Sequence, residues 1–231
     1  ANANFNMKVI FKDLIASKLY RVDGLAAAAG NPQRREELDD AGLVRLLAPE
    51  QLERKLTALF GQKWGKLVGR ESKFMILYGG INSKSVTERM SDPSGAMGAI
   101  QRIMANDVAC KNVILDFSRQ PKERLLFPNI EPDVVPGDKP DSEAKIREAI
   151  VHLHQHLLGQ THTAYHPEVE RTYQLFAGII VEARATKGLD KRESYHCGRI
   201  EGRRLEDPNY TLRAWRGVVT YLLRQHDFLY E

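Results

Sequence analysis

Three histidines in five residues, His152, His154 and His156, form the densest chemical cluster in this 231-residue chain, and all seven histidines follow residue 150. On a helix His152 and His156 stand four apart and share a face, the spacing at which two imidazoles grip one metal ion. His154 points elsewhere, beside the Ile150 face. A zinc enzyme needs a third ligand and an acid or base. His162, His166 and Glu170 are at hand to supply them, but no HExxH pattern is present. The same residues also read as a polar helix edge with solvated rings.

The two cysteines, Cys110 and Cys197, occur without CxxC or CxxCH. That excludes covalent c-type haem attachment within this chain and a four-cysteine zinc site. One disulfide or two buried thiols both fit the composition. Cys197 directly follows His196, but sequence neighbours seldom form a working nucleophile and base. GxSxG and GxGxxG are absent, and the Gly-rich run from Tyr78 to Ser83 lacks the GK[ST] ending of a phosphate loop. Glu131, Asp133, Asp138 and Asp141 are hard-cation ligands by type, yet their spacing is not that of an EF-hand, and a solvated linker is the favoured reading.

Helices must position these groups, and their starts and stops are written in the sequence. Met7, Ile10, Phe11, Leu14 and Ile15 recur at helical spacing, in a helix expected to end near Arg21–Gly24. Asn31-Pro32 opens a short polar helix through Asp40, and Ala48-Pro49 opens one carrying Leu52, Leu56 and Leu59 and stopped by Gly61. Phe74 to Tyr78 is too short to assign to strand or helix end. Asp92-Pro93 starts a helix with Met97, Ile100, Met104 and Val108 on one face, which places Cys110 in a buried or half-buried position. Prolines 128, 132, 136 and 140 make 128–141 an extended connector. Asp141 then caps a helix bearing Ile146, Ala149, Ile150, Leu153 and Leu157 up to Gly159. His166-Pro167 begins the next, with Val169, Tyr173, Phe176 and Ile180 before Gly188. Asp207-Pro208 begins the last, with Leu212, Trp215, Val219 and Leu222. Three amphipathic helices in so short a span pack as a bundle. The expected fold is therefore mainly α: an irregular helical domain with a C-terminal amphipathic helix bundle and few or no strands. Its expected parts are an N-terminal helical portion 1–127, the connector 128–141 and a bundle 142–231, or all of these as one compact domain.

The net charge is +4 with a pI near 9.0, and cations and acids are mixed along the chain. The densest basic stretch, Arg199, Arg203 and Arg204 after Lys191 and Arg192, is interleaved with Glu193, Glu201 and Glu206. It reads as a solvated loop rather than a nucleic-acid stripe. No apolar run reaches the roughly 18 residues that span a bilayer. No signal peptide is visible at the N-terminus, and a removed one leaves no trace.

Three stretches carry a family resemblance: residues 76–110, including the GGI…TER segment; residues 149–176, including the histidines; and residues 207–231, ending in FLYE. They resemble the C-terminal region of large exported bacterial proteins, from planctomycetes and proteobacteria, built from domains of unknown function and often carrying a c-type haem domain. The resemblance covers most of the chain, in the same order. It implies a periplasmic, extracellular or surface location and partnership with other chains or domains, including a c-type cytochrome. It implies that Cys110 pairs with Cys197. It also implies that any haem sits in a partner domain or chain, since this one holds none covalently. The family often has an acid where this chain has Asn82, which weakens a cation site there.

Three functions follow as expectations. The first is a non-catalytic helical docking or scaffold module of an exported, haem-associated protein or complex. The second is a metal-dependent enzyme acting on an extracellular polymer, with His152 and His156 as ligands. The third, ranked last, is weak nucleic-acid binding with steep salt dependence; no nucleic-acid partner and no membrane span are expected.

Overall fold

The computed structural model describes residues 7–17, 45–69, 72, 74–82, 84–90, 93–186, 199–200, 203–204 and 206–230. The chain divides into two compact units, Ala1–Arg45 and Leu46–Glu231. In the first, the apolar repeat forms helix α1 (Met7–Ala16). Ser17 closes it, its hydroxyl donating to the Leu14 carbonyl at 2.7 Å, so the helix ends earlier than the expected Arg21–Gly24. Ile10, Phe11, Leu14 and Ile15 are exposed. The helix expected from Asn31 to Asp40 lies outside the described residues.

The second unit is mainly helical. Its elements are α2 (Pro49–Phe60), α3 (Gly95–Phe117), α4 (Ser142–Leu158), α5 (Pro167–Ala185), α6 (Thr211–Leu222) and the short α7 (His226–Leu229). A two-residue antiparallel ladder joins β1 (Arg199–Ile200) to β2 (Arg203–Arg204), within the stretch expected as a loop. No helix among the described residues is long and apolar enough to cross a membrane.

The periodic stripes of the second unit's long helices face inward. Met97, Ile100, Met104 and Val108 of α3, Ile146, Ile150, Leu153 and Leu157 of α4, and Leu212, Trp215, Val219 and Leu222 of α6 are all buried in one core. Helix α6 is the central member, packed against α3, α4 and α5. The C-terminal bundle is thus completed by α3, which precedes the proline-rich stretch. Trp215 sits between Phe127 and Phe176, with ring centroids 5.0 and 4.3 Å away. Burying rings of this size supplies about 1.5–3 kcal/mol each.

The 128–141 stretch forms no helix, as its prolines require, but it lies within this unit and not between two. Ile130 and Val135 are buried, and the Thr211 hydroxyl donates to the Pro132 carbonyl. Arg124 donates to the Ile130 carbonyl at 3.0 Å and forks onto Glu131. An extended, proline-rich chain has spare backbone carbonyls, and here the core's polar side chains take them up.

Two helix starts differ from expectation in position, and a third, at Asp141, stands where expected but lacks the side-chain cap. Helix α3 is capped by Ser94, whose hydroxyl accepts from the Met97 amide at 3.2 Å; Asp92 lies outside the described residues. Asp141 stands at the α4 N-cap, yet its carboxylate pairs with Lys145 at 2.7 Å and caps nothing. Helix α6 begins at Thr211, after Asp207-Pro208. The buried Asp207 carboxylate still reaches forward to the amides of Leu212 and Arg213, at 3.1 and 3.3 Å. The expected starts at Pro49 and Pro167, and the left-handed glycine stops at Gly61 and Gly159, are found in place.

The Phe74–Tyr78 run is neither strand nor helix end. It is a hydrogen-bonded turn, with the Tyr78 amide on the Phe74 carbonyl at 2.9 Å. Gly79 follows at φ +84, where an added Cβ would meet Met97 at 2.7 Å, so the paired glycines serve close packing. Asn82 organises the loop beyond: its Oδ1 accepts from the amides of Lys84, Ser85 and Val86 at 2.9–3.0 Å.

Candidate functional site at the histidine helix

Helix α4 presents its histidines on two sides, with different roles. His152 and His156 stack with ring centroids 5.7 Å apart, as their i, i+4 spacing requires. His152 Nε2 lies 2.9 Å from the Leu125 carbonyl, and His156 Nε2 lies 2.9 Å from the Leu59 carbonyl. A carbonyl oxygen only accepts, so both rings carry their proton on Nε2. Leu59 belongs to the last turn of α2, where carbonyls lack intrahelical partners. His156 supplies that partner from another helix, and His152 does the same for the 124–127 loop. The pair thereby ties α4 to two other parts of the core.

The suggested third ligands are not beside this pair. Glu170 bonds Arg147 at 2.6 Å, and Arg147 also holds Glu143 at 2.8 Å and lies over the Tyr173 ring at 4.3 Å. His162 and His166 stack on each other at 3.9 Å, and His162 meets the edge of His154 at 5.2 Å. Among the described residues no group of three or more His, Cys, Asp or Glu side chains is arranged to hold a metal ion.

The structure instead gathers His154, His162 and His166 where α4 turns into α5. His154 is only 2 % exposed. Its Nδ1 lies 3.0 Å from Gln160 Oε1, and His162 Nε2 lies 3.1 Å from the same oxygen. Gln160 Nε2 donates to Asp227 Oδ2 at 2.6 Å. Because the Asp227 carboxylate only accepts, it fixes the amide orientation. Oε1 must then face the rings, and both ring nitrogens must carry protons. On its other side His154 Nε2 lies 3.1 Å from Thr172 Oγ1, which is also within 2.8 Å of the Glu168 carbonyl. One hydroxyl proton serves one of these acceptors at a time. With neutral His154 it goes to Nε2; with the imidazolium it returns to the carbonyl.

Burial pushes the His154 imidazole below its usual value, the Gln160 hydrogen bond opposes this, and repulsion from His162 adds to it. His166 caps α5, its Nδ1 accepting from the Glu168 amide at 3.3 Å. A cavity of about 330 Å³ adjoins, lined by His154, Gln160, Glu168, Arg171, His226 and Asp227 among others. Its charges are largely paired internally, since Arg171 bonds both Glu168 oxygens at 2.9 Å. What the cluster can do chemically is bind and release a proton at a buried, directionally wired imidazole.

Buried acids elsewhere are wired to backbone. Asp116, 3 % exposed, accepts from the amides of Leu125, Leu126 and Phe127 at 2.8–3.0 Å. Glu53 accepts from the amides of Gly65 and Leu67 at 2.7 and 3.3 Å. The connector acids Glu131 and Asp141 pair with Arg124 and Lys145. Cys110 is half-buried on α3, packed against the core, and Cys197 lies outside the described residues. Sequence reasoning missed the Gln160–His154–Thr172 chain. Its one available signal was His154 standing between Leu153 and Leu157 on a buried stripe, where an imidazole needs partners. Comparison with protein-family models, with curated proteins and with solved structures finds no match to this chain.

Proposed function

We propose that this chain is a non-catalytic helical module, a docking or scaffold part of an exported, haem-associated bacterial protein or complex. One observation carries the non-catalytic reading: the buried acids and two of the α4 histidines, His152 and His156, are turned onto the chain's own backbone. Glu53, Asp116 and Asp207 hold loop and helix amides, while His152 and His156 hold carbonyls. Groups so committed stiffen a scaffold and are not poised for substrate. The exported, haem-associated context rests on the family resemblance of residues 76–110, 149–176 and 207–231.

The same context supports a Cys110–Cys197 disulfide, and the described residues hold no free cysteine. Closing so long a loop contributes on the order of 4 kcal/mol. Mass mapping without reductant should recover the two cysteine peptides joined; two free thiols in protein from its native compartment would refute the bond. For the module itself, chemical cross-linking in a native preparation is expected to join this chain to a haem-bearing one. Stoichiometric haem or transition metal held by this chain's own side chains would overturn it.

The parallel stack of His152 and His156 favours one second reading, a metal-dependent enzyme acting on an extracellular polymer. A metal would have to recruit their Nδ1 atoms or displace two backbone carbonyls from Nε2. Elemental analysis of the wild type and of His152→Ala decides it, and no metal in either sample ends the idea.

A further inference from the structure

Where Gly61 ends α2, the chain turns through Gln62–Lys66 and lays Trp64 against α3. Leu56, Phe60, Val108 and the Trp64 ring then bound a cavity of about 180 Å³. A space of this order holds a six-membered ring. Phe74 stacks on Trp64 with centroids 5.8 Å apart, and the Trp64 Nε1–H donates to Asp107 Oδ2 at 3.1 Å. The indole is thus fixed in place before any ligand arrives.

The polar groups of the wall are mostly satisfied within it. Gln62 Nε2 donates to Asn112 Oδ1, and Asn112 Nδ2 donates to the Val108 carbonyl at 2.8 Å. Asp107 is matched by Lys66 at 2.6 Å. Two further cations also line the cavity: Lys63 and Lys111, both exposed, and neither meets an acid among the described residues. The site therefore offers an apolar slot, one rigid aromatic wall, and three ammoniums against one carboxylate. Neutral rings gain nothing from that surplus, and cations are repelled by it. An anion with a flat apolar body uses every part.

We propose that this cavity binds a small aromatic carboxylate, its ring against Trp64 and its carboxylate between Lys63 and Lys111. The assignment is independent of the scaffold reading and adds a ligand to it. The chain holds two tryptophans, and Trp215 is fully buried in the bundle, so the Trp64 indole N–H is a distinct reporter in an NMR titration. Benzoate is expected to shift that resonance saturably, with a dissociation constant on the order of 1 mM for so small a ligand. Replacing both outer cations, Lys63→Gln with Lys111→Gln, should weaken benzoate about tenfold, the effect of roughly 1.4 kcal/mol. These are surface changes that leave the fold intact. Benzylamine should bind at least as much weaker again. No saturable shift with benzoate, equal affinity for benzylamine, or an unchanged affinity in the double variant would each overturn the proposal. Inorganic phosphate shifting Trp64 as strongly as benzoate would do so too, because the lysines alone would then account for binding.

Discussion

The single proton of neutral His154 sits on Nδ1, directed at Gln160, so a second proton must enter a buried site beside two more imidazoles. The cause is mainly burial, and it holds the folded imidazole below its ordinary value of 6.5. The unfolded chain therefore binds that proton first. Stability from this group is complete above about pH 6.5, declines as pH falls below it, and levels off beneath the lowered folded value. Groups facing the ring include His162, His166, Glu168, Arg171, His226 and Asp227. Urea midpoints should fall between pH 7.5 and 5.5, and His154→Gln, which stays uncharged, should flatten that slope; an unchanged slope would count against His154. Asn82 gives a second test. Its oxygen takes three amides, so Asn82→Ala should cost about 1 kcal/mol, while Asn82→Asp, accepting the same three with a charge, should equal or exceed the wild type. Hydrogen exchange at residues 84–86 reads both. The i, i+4 geometry of His152 and His156 was legible in the sequence, and their partners were not. The carbonyls they meet lie 27 and 97 positions away, and no local pattern encodes such distances.

Helix starts and stops were legible where backbone constraints alone decide them. Pro49 and Pro167 begin helices because proline fits the first turn, and Gly61 and Gly159 end them because they adopt φ near +70. Two starts that depend on a side chain finding an amide were displaced, by two and by three residues, since Ser94 does the work assigned to Asp92, and Asp207 reaches past Pro208, Asn209 and Tyr210. Asp207→Ala should lower stability by about 2 kcal/mol, at the upper end for a cap because the carboxylate is buried. Asp207→Asn, which keeps the acceptor, should lose clearly less. Equal losses in thermal or urea melts would mean that charge, and not the amide bonds, is what α6 needs. Asp141→Ala offers the contrast: its pair with Lys145 is exposed and solvent-screened, so the same melts should show no resolvable change.

At the scale of the molecule, the inward stripes of α3, α4, α5 and α6 made the bundle readable, but its membership did not follow sequence order. Helix α3 joins the C-terminal helices because the 128–141 stretch, held by Arg124 and Thr211, runs along the core and keeps both sides together. Proline spacing announces an extended chain and says nothing of what that chain lies against. The closing residues show the same long reach. Leu46 pairs with Tyr230, the Leu47 amide donates to the Leu229 carbonyl at 2.9 Å, and Lys55 donates to the Phe228 carbonyl at 2.7 Å while lying over its ring. Entry and exit of the second unit are therefore one doorway. Residues 46 and 230 can be joined by a short Gly/Ser bridge and the chain reopened at the exposed Gly137–Asp138 turn. The resulting circular permutant is expected to melt within a few degrees of its parent, and failure to fold would mean the doorway must stay open. A unit built this way can be spliced into a surface loop of a larger host without prising the host's own strands or helices apart.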